Sequence, residues 1–93
     1  MSAIEHIMYR HAFNSGFRDV SRFVKGTSVR DIRGFVDDAL RYGKVTPQGA
    51  TGFQIEYNLG RVIGTNESGG AATGIRVFIR DGNIQTAFPI SFP

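Results

Sequence analysis

A chain of 93 residues carrying a net charge of +3 has room for one small domain around one core, which excludes a multidomain enzyme. With 41% hydrophobic residues it holds enough apolar material to fold, so disorder is excluded, and the absence of cysteine rules out disulfides, thiolate metal sites and thiol catalysis. No apolar run approaches the ~18 residues needed to cross a bilayer, and the N-terminus lacks the basic-then-apolar order of a secretion signal, so a soluble domain is expected.

Ser2 followed by Glu5 has the spacing of a capping box and starts a first helix that runs to about Phe13, where Asn14, Ser15 and Gly16 stop it. Phe17, Val20, Phe23 and Val24 recur three or four apart, the spacing of a short helical segment ending at Lys25-Gly26. Ser28 with Asp31 starts another helix, whose apolar stripe is Ile32, Phe35, Val36, Ala39 and Leu40 and whose C-cap is Gly43.

From Lys44 onward the apolar period shortens to two. Phe53, Ile55 and Tyr57 form one alternating strand, Val62 and Ile63 a shorter one, and Ile75, Val77 and Ile79 another, with Asn66 to Thr73 as a polar, Gly-rich loop. Asp81-Gly82 marks a two-residue hairpin turn, because both of its central positions need positive φ. Uniform pairing from that turn sets Arg80 opposite Asn83, Ile79 opposite Ile84, Val77 opposite Thr86 and Ile75 opposite Phe88.

Helices over about 1–43 followed by strands over about 44–93 make a single α+β domain, with N-terminal helices packed on one face of a C-terminal twisted antiparallel sheet. The other face is left for function, with Arg76, Phe78, Arg80 and Gln85 as its candidates.

The charge points to an acidic partner. Nine of the eleven positive residues are arginines, whose planar fork matches phosphate and stacks on bases. His6 and Arg10, four apart, lie side by side on the first helix. An imidazole that titrates near neutrality beside a phosphate-binding guanidinium suits phosphodiester cleavage, although an exposed pair without a role has the same spacing. His11 projects about 140° from His6, so the two do not readily face one cleft, and a hydrogen-bonded place at the core edge is its alternative. Two histidines with no acidic cluster do not make a catalytic metal site. On the last strand, Thr86 and Phe88 share a side and are able to meet a phosphate and a base, or else to pack beneath the helices as the uniform register implies. The basic set Arg18, Arg22, Lys25, Arg30 and Arg33 offers a surface for a nucleic-acid backbone, interrupted by Asp19 and Asp31.

The His-x-x-x-Arg helix, the second helix ending in Gly, and the strands Leu59-Gly60-Arg61-Val62-Ile63-Gly64, Ile75-Arg76-Val77-Phe78-Ile79-Arg80 and Asp81-Gly82-Asn83-Ile84-Gln85-Thr86-Ala87-Phe88-Pro89 together resemble the small ribonucleases grouped with barnase, EndoU, colicin and RelE. Within that group the chain is most similar to the C-terminal toxin domain of contact-dependent growth inhibition proteins, of the type that cuts tRNA. The resemblance implies RNA cleavage by attack of the ribose 2′-hydroxyl on the adjacent phosphate, without metal or cofactor. It places His6, Arg10 and Thr86 among the catalytic residues and Phe88 on the substrate, where Arg76 and Arg80 of the open sheet face are expected to join it. Members often carry tyrosine where Phe88 stands, and phenylalanine transfers no proton, so His11 is left to supply that function. The resemblance further implies a domain exported at the end of a larger cell-surface protein and acting in the cytoplasm of a target bacterium. Its implied partners are tRNA and a cognate immunity protein that covers the active site, with a host translation factor as a further candidate and no membrane anchor. The rival readings are a nucleic-acid binder without catalysis and an adaptor or immunity-type domain.

Overall fold

The computed structural model describes residues 2–93, so the first position of the expected helical half lies outside it. Two helices, α1 (Ala3–His11) and α2 (Val29–Tyr42), accompany seven strands: β1 (Arg22–Phe23), β2 (Lys44–Gln48), β3 (Gly52–Asn58), β4 (Gly64–Thr65), β5 (Ala71–Ala72), β6 (Gly74–Arg80) and β7 (Asn83–Ile90). The fold is α+β. Its main sheet is antiparallel in the order β2-β3-β6-β7, and a smaller antiparallel sheet has the order β1-β4-β5.

Both helices begin at their capping signals. The Ser2 hydroxyl accepts the Glu5 N–H at 3.1 Å. At α2 the box is complete: Ser28 Oγ accepts from the Asp31 N–H at 3.0 Å, and the Asp31 carboxylate accepts from the Ser28 N–H at 2.9 Å. The Ser28 N–H bond to that carboxylate, helped by the Ser28 hydroxyl, holds the Asp31 carboxyl below the usual carboxylate range. Gly43 ends α2 because nothing larger fits there. A Cβ would stand 2.5 Å from the Ala39 carbonyl oxygen and 2.6 Å from Ile55 Cγ2. Glycine therefore lets the chain pass from helix to β2 while α2 lies close on β3.

The hairpin between β6 and β7 turns on Asp81 (φ 53°) and Gly82 (φ 78°), as the sequence predicts. Arg80 pairs with Asn83 and Ile79 with Ile84, but the register then shifts: Phe78 pairs with Thr86, Val77 with Ala87, Arg76 with Phe88 and Ile75 with Pro89. Gln85 is the additional residue of a β-bulge, and the uniform pairing of Val77 with Thr86 and Ile75 with Phe88 is overturned. The physical reason lies in the core. Ala87 is fully buried beside Val77, and Pro89 is buried against Gly64, where a Cβ would come within 2.8 Å of the proline ring. Without the bulge, Thr86 and Phe88 would fill those places and put a hydroxyl and an oversized ring into a closed layer.

One core joins the helices to the sheet, with Ile7 of α1, Ile32, Phe35, Val36 and Ala39 of α2, and Ile55, Ile75, Val77 and Ala87 of the strands. The opposite face of the sheet carries Glu56, Arg76, Phe78, Thr86 and Phe88. The expected helical segment over 17–24 does not form. Asp19 takes a left-handed φ of 52°, and the stretch is a loop leading into β1, which thus lies inside the N-terminal half. The guanidinium of Arg22 ties this loop together by donating to the carbonyls of Phe13, Ser15 and Phe17. Two further boundaries move. The short strand expected at Val62-Ile63 falls at Gly64–Thr65, and the expected Asn66–Thr73 loop contains β5. No helix among the described residues is long and apolar enough to cross a membrane.

Candidate functional site

A groove of about 260 Å³ lies between α1, β7, the loop before β1 and the loop between β4 and β5. His6, Arg10 and His11 supply its helical wall, and Thr86 and Phe88 its strand wall. The expectation that the two histidines do not share a cleft is therefore corrected. On the helix they are separated by about 140°, with Arg10 at an intermediate angle, and by about 7.5 Å of axial rise. The groove follows that arc around the C-terminal turn, so His6 borders it from outside while His11 closes it toward the sheet.

His11 is 6% exposed, and its Nδ1 lies 2.7 Å from the Ser21 carbonyl oxygen. A carbonyl only accepts, so Nδ1 carries the proton. The buried Ser21 hydroxyl is 3.3 Å from the same nitrogen. The tautomer is thereby set, with the Nε2 lone pair free. Nε2 has no hydrogen-bond partner, yet the one buried side-chain polar atom without a partner among the described residues is Thr86 Oγ1, so Nε2 keeps contact with the groove. Burial lowers the pKa of His11 from its usual 6.5, assisted by the positive charge of Arg10 and opposed by the Ser21 carbonyl. The ring is a neutral base at pH 7.

Behind it stands a stack of supports. The His11 ring lies on the Phe88 ring with centroids 5.2 Å apart and planes at 26°. Phe78 leans on Phe88 at 5.9 Å, and the Arg76 guanidinium lies 5.9 Å above it. Arg76 is itself fixed by Glu56, whose Oε2 accepts from Nε at 2.9 Å and from an Nη at 2.6 Å. Two sequence assignments thus change. Phe88 is a platform for His11 instead of a free stacking surface, and Arg76 is engaged by a carboxylate across the β3–β6 pair. Arg80, on the same face, is exposed and borders a separate groove that meets the first at Thr86.

Thr86 Oγ1 is sealed from water and makes no hydrogen bond, a condition that destabilises a fold by about 1–3 kcal/mol. Such an orphan in a groove wall fits a group that gains a partner when its side chain turns toward a bound ligand.

Three groove residues escape the sequence reading: Asp19, Ser21 and Glu67. Glu67 is placed by Asn66, whose side-chain oxygen accepts from Ser68 N at 2.9 Å and Gly70 N at 2.8 Å, while its amide donates to Ser91 Oγ at 2.9 Å. The charge lining the groove is mixed, with Arg10 and the imidazoles opposed by two carboxylates. Arg10 itself is oriented by Phe17, over whose ring its guanidinium sits at 4.9 Å. Among the described residues no cluster of three or more potential ligands is placed to hold a metal ion. Comparison with known protein families, curated proteins and solved structures finds no match for this chain.

Proposed function

We propose that the protein is an endoribonuclease that cleaves by transesterification, the reading implied by the resemblance to the toxin ribonucleases. The observation that carries it is the meeting of His6, Arg10, His11 and Thr86 on one groove, with His11 held as a neutral base by the Ser21 carbonyl. His11 Nε2 takes the proton of a ribose 2′-hydroxyl. The 2′-oxygen bonds to phosphorus and the bond from phosphorus to the 5′-oxygen breaks. His6 donates a proton to that oxygen, and a 2′,3′-cyclic phosphate and a 5′-hydroxyl result. Arg10, and the Thr86 hydroxyl once its side chain turns toward the groove, hold the non-bridging oxygens as charge builds on them. Phe88, which has no proton to give, keeps the base in place.

By the same resemblance the substrate is tRNA, the protein acts as a toxin inside a competing bacterium, and an immunity protein covers the groove. Purified protein incubated with tRNA in the presence of chelator is expected to yield discrete fragments ending in cyclic phosphate. A 2′-deoxy substitution at the cut position is expected to block scission, and His11→Asn, which keeps a donor for Ser21 but offers no base, to lower the rate at least 10²-fold. Intact RNA with salt-dependent binding would support the non-catalytic nucleic-acid binder instead. Cleavage of the deoxy substrate would overturn the 2′-hydroxyl mechanism.

A further inference from the structure

Thr86 stands where two grooves join. The second, about 380 Å³, runs along the open end of the β3–β6–β7 face and is lined by Gln48, Phe53, Phe78, Arg80 and Gln85 as well as Thr86. Its composition differs from that of the first. It contains no carboxylate, its one charge is the exposed guanidinium of Arg80, which forms no ion pair among the described residues, and it combines the ring of Phe78 with side-chain amides. Gln48 donates to Gln54 at 3.4 Å, which leaves the Gln48 carbonyl oxygen as an acceptor, and the Gln85 amide is exposed on the bulge. Arg80 follows Phe78 by two residues on the same face of β6, a displacement of roughly 6.8 Å along the strand away from Thr86. A third groove also reaches Thr86, but Ser2, Ala3 and Ile84 give it no aromatic surface and His6 is its only ionisable group.

We infer that this second groove is a nucleotide subsite of single-stranded RNA, receiving the residue next to the phosphate held at Thr86. The half-buried ring of Phe78 offers apolar surface to the base, the Gln48 and Gln85 amides meet its polar edge, and Arg80 binds the following phosphate. The bulge serves this arrangement directly, because it turns Thr86 into the first groove while presenting Gln85 to the second. The inference rests on the ribonuclease reading for its choice of ligand and extends that reading from the reacting phosphate to the adjoining nucleotide.

The test is a pair of amide chemical-shift titrations, one with inorganic phosphate and one with a 2′-deoxy dinucleotide carrying a terminal phosphate, neither of which is cleavable. Phosphate is expected to move the amides of residues 6–11 and 86, and the dinucleotide to move those of Gln48, Phe78, Arg80 and Gln85 in addition. In Arg80→Ala the ratio of dinucleotide affinity to phosphate affinity is expected to fall about tenfold. In Arg41→Ala, which removes the same charge from an exposed position on α2, the ratio is expected to hold. Dinucleotide shifts that bypass the second groove, or an equal fall in both variants, would overturn the subsite. Because neither titration requires scission, a protein that shows these shifts but cuts no RNA retains the subsite and loses the ribonuclease reading. A protein that cuts RNA without them loses only the subsite.

Discussion

Thr86 and Ala87 are neighbours in β7, yet they belong to parts of the molecule built on opposite terms. Ala87 lies between the sheet and the helices, in a closed apolar layer with Val77 and Ile75, all without exposure. Thr86 faces the other way, into a groove where a hydroxyl lacks a partner, an imidazole is held in one tautomer and a guanidinium is spent on supporting a ring. The first region is satisfied internally. The second keeps unsatisfied groups, as a surface prepared for a ligand must. What separates them is a single additional residue, Gln85, and the difference teaches that here the boundary between core and site is a matter of strand register before it is one of composition.

The largest effect expected from this division is on stability from the core side. Ile75→Ala removes a fully buried side chain from the layer beneath α2 and is expected to destabilise by about 2–5 kcal/mol, lowering the melting temperature by about 10 °C or more. Thermal unfolding followed by circular dichroism reads it. A loss below 1 kcal/mol would mean that the layer is loosely packed and the contrast with the groove is overstated.

Thr86→Val, one residue from the core, is expected to act with the opposite sign. Replacing an orphaned hydroxyl by a methyl of the same shape removes a desolvation penalty, so stability is expected to rise by about 1 kcal/mol while the proposed cleavage falls at least tenfold. Stability and activity moving apart in one variant would mark Thr86 as a site residue. Destabilisation by the same change would show that the hydroxyl is satisfied after all and that Thr86 is packing.

Deleting Gln85 is expected to move stability less, within about 1 kcal/mol, because Thr86 remains opposite Phe78 and Ala87 opposite Val77 when the bulged residue is removed. The bend and local twist that the bulge supplies are lost, so the groove walls separate and the proposed activity is expected to fall more steeply than the melting temperature. Full activity in the deletion variant would break the link between bulge and site.

That bulge also marks the limit of what the sequence makes legible. The capping pairs at Ser2 and Ser28, the stop at Gly43, the long alternating runs of β3 and β6 and the Asp81-Gly82 turn are all local chemistry, and each stands where it is read. The two-residue strands β1, β4 and β5 are too short to show a period, and β2 is exposed along its whole length, with Pro47 in its edge pairing, so no alternation announces it. Gln85 has nothing in its chemistry that signals a bulge, because the bulge arises from which of its neighbours fits beneath the helices. Of the site, His6, Arg10, His11 and Thr86 are visible as residue types that do chemistry. Ser21 is not, since it acts chiefly through its backbone carbonyl, and Asp19 and Glu67 reach the groove through loop conformations that spacing does not encode.

The smallest effect expected is one of pH, and it bears on the least visible part of the site, the tautomer of His11. Burial lowers the pKa of this ring in the folded protein, while in the unfolded chain it returns to about 6.5. The unfolded state therefore binds more protons as pH falls through 6.5, and stability declines with a slope of at most about 1.4 kcal/mol per pH unit until the folded-state pKa is reached. Above 6.5 the ring is neutral in both states and contributes no slope. Asparagine at this position still donates to Ser21 but does not titrate, so the difference in unfolding free energy between the native protein and His11→Asn is expected to be constant above pH 7 and to shrink steadily below about 6.5. A difference that stays level across the acid range would place His11 in contact with water on both nitrogens, and the groove would lose the neutral base that distinguishes it from the closed layer on the other side of β7.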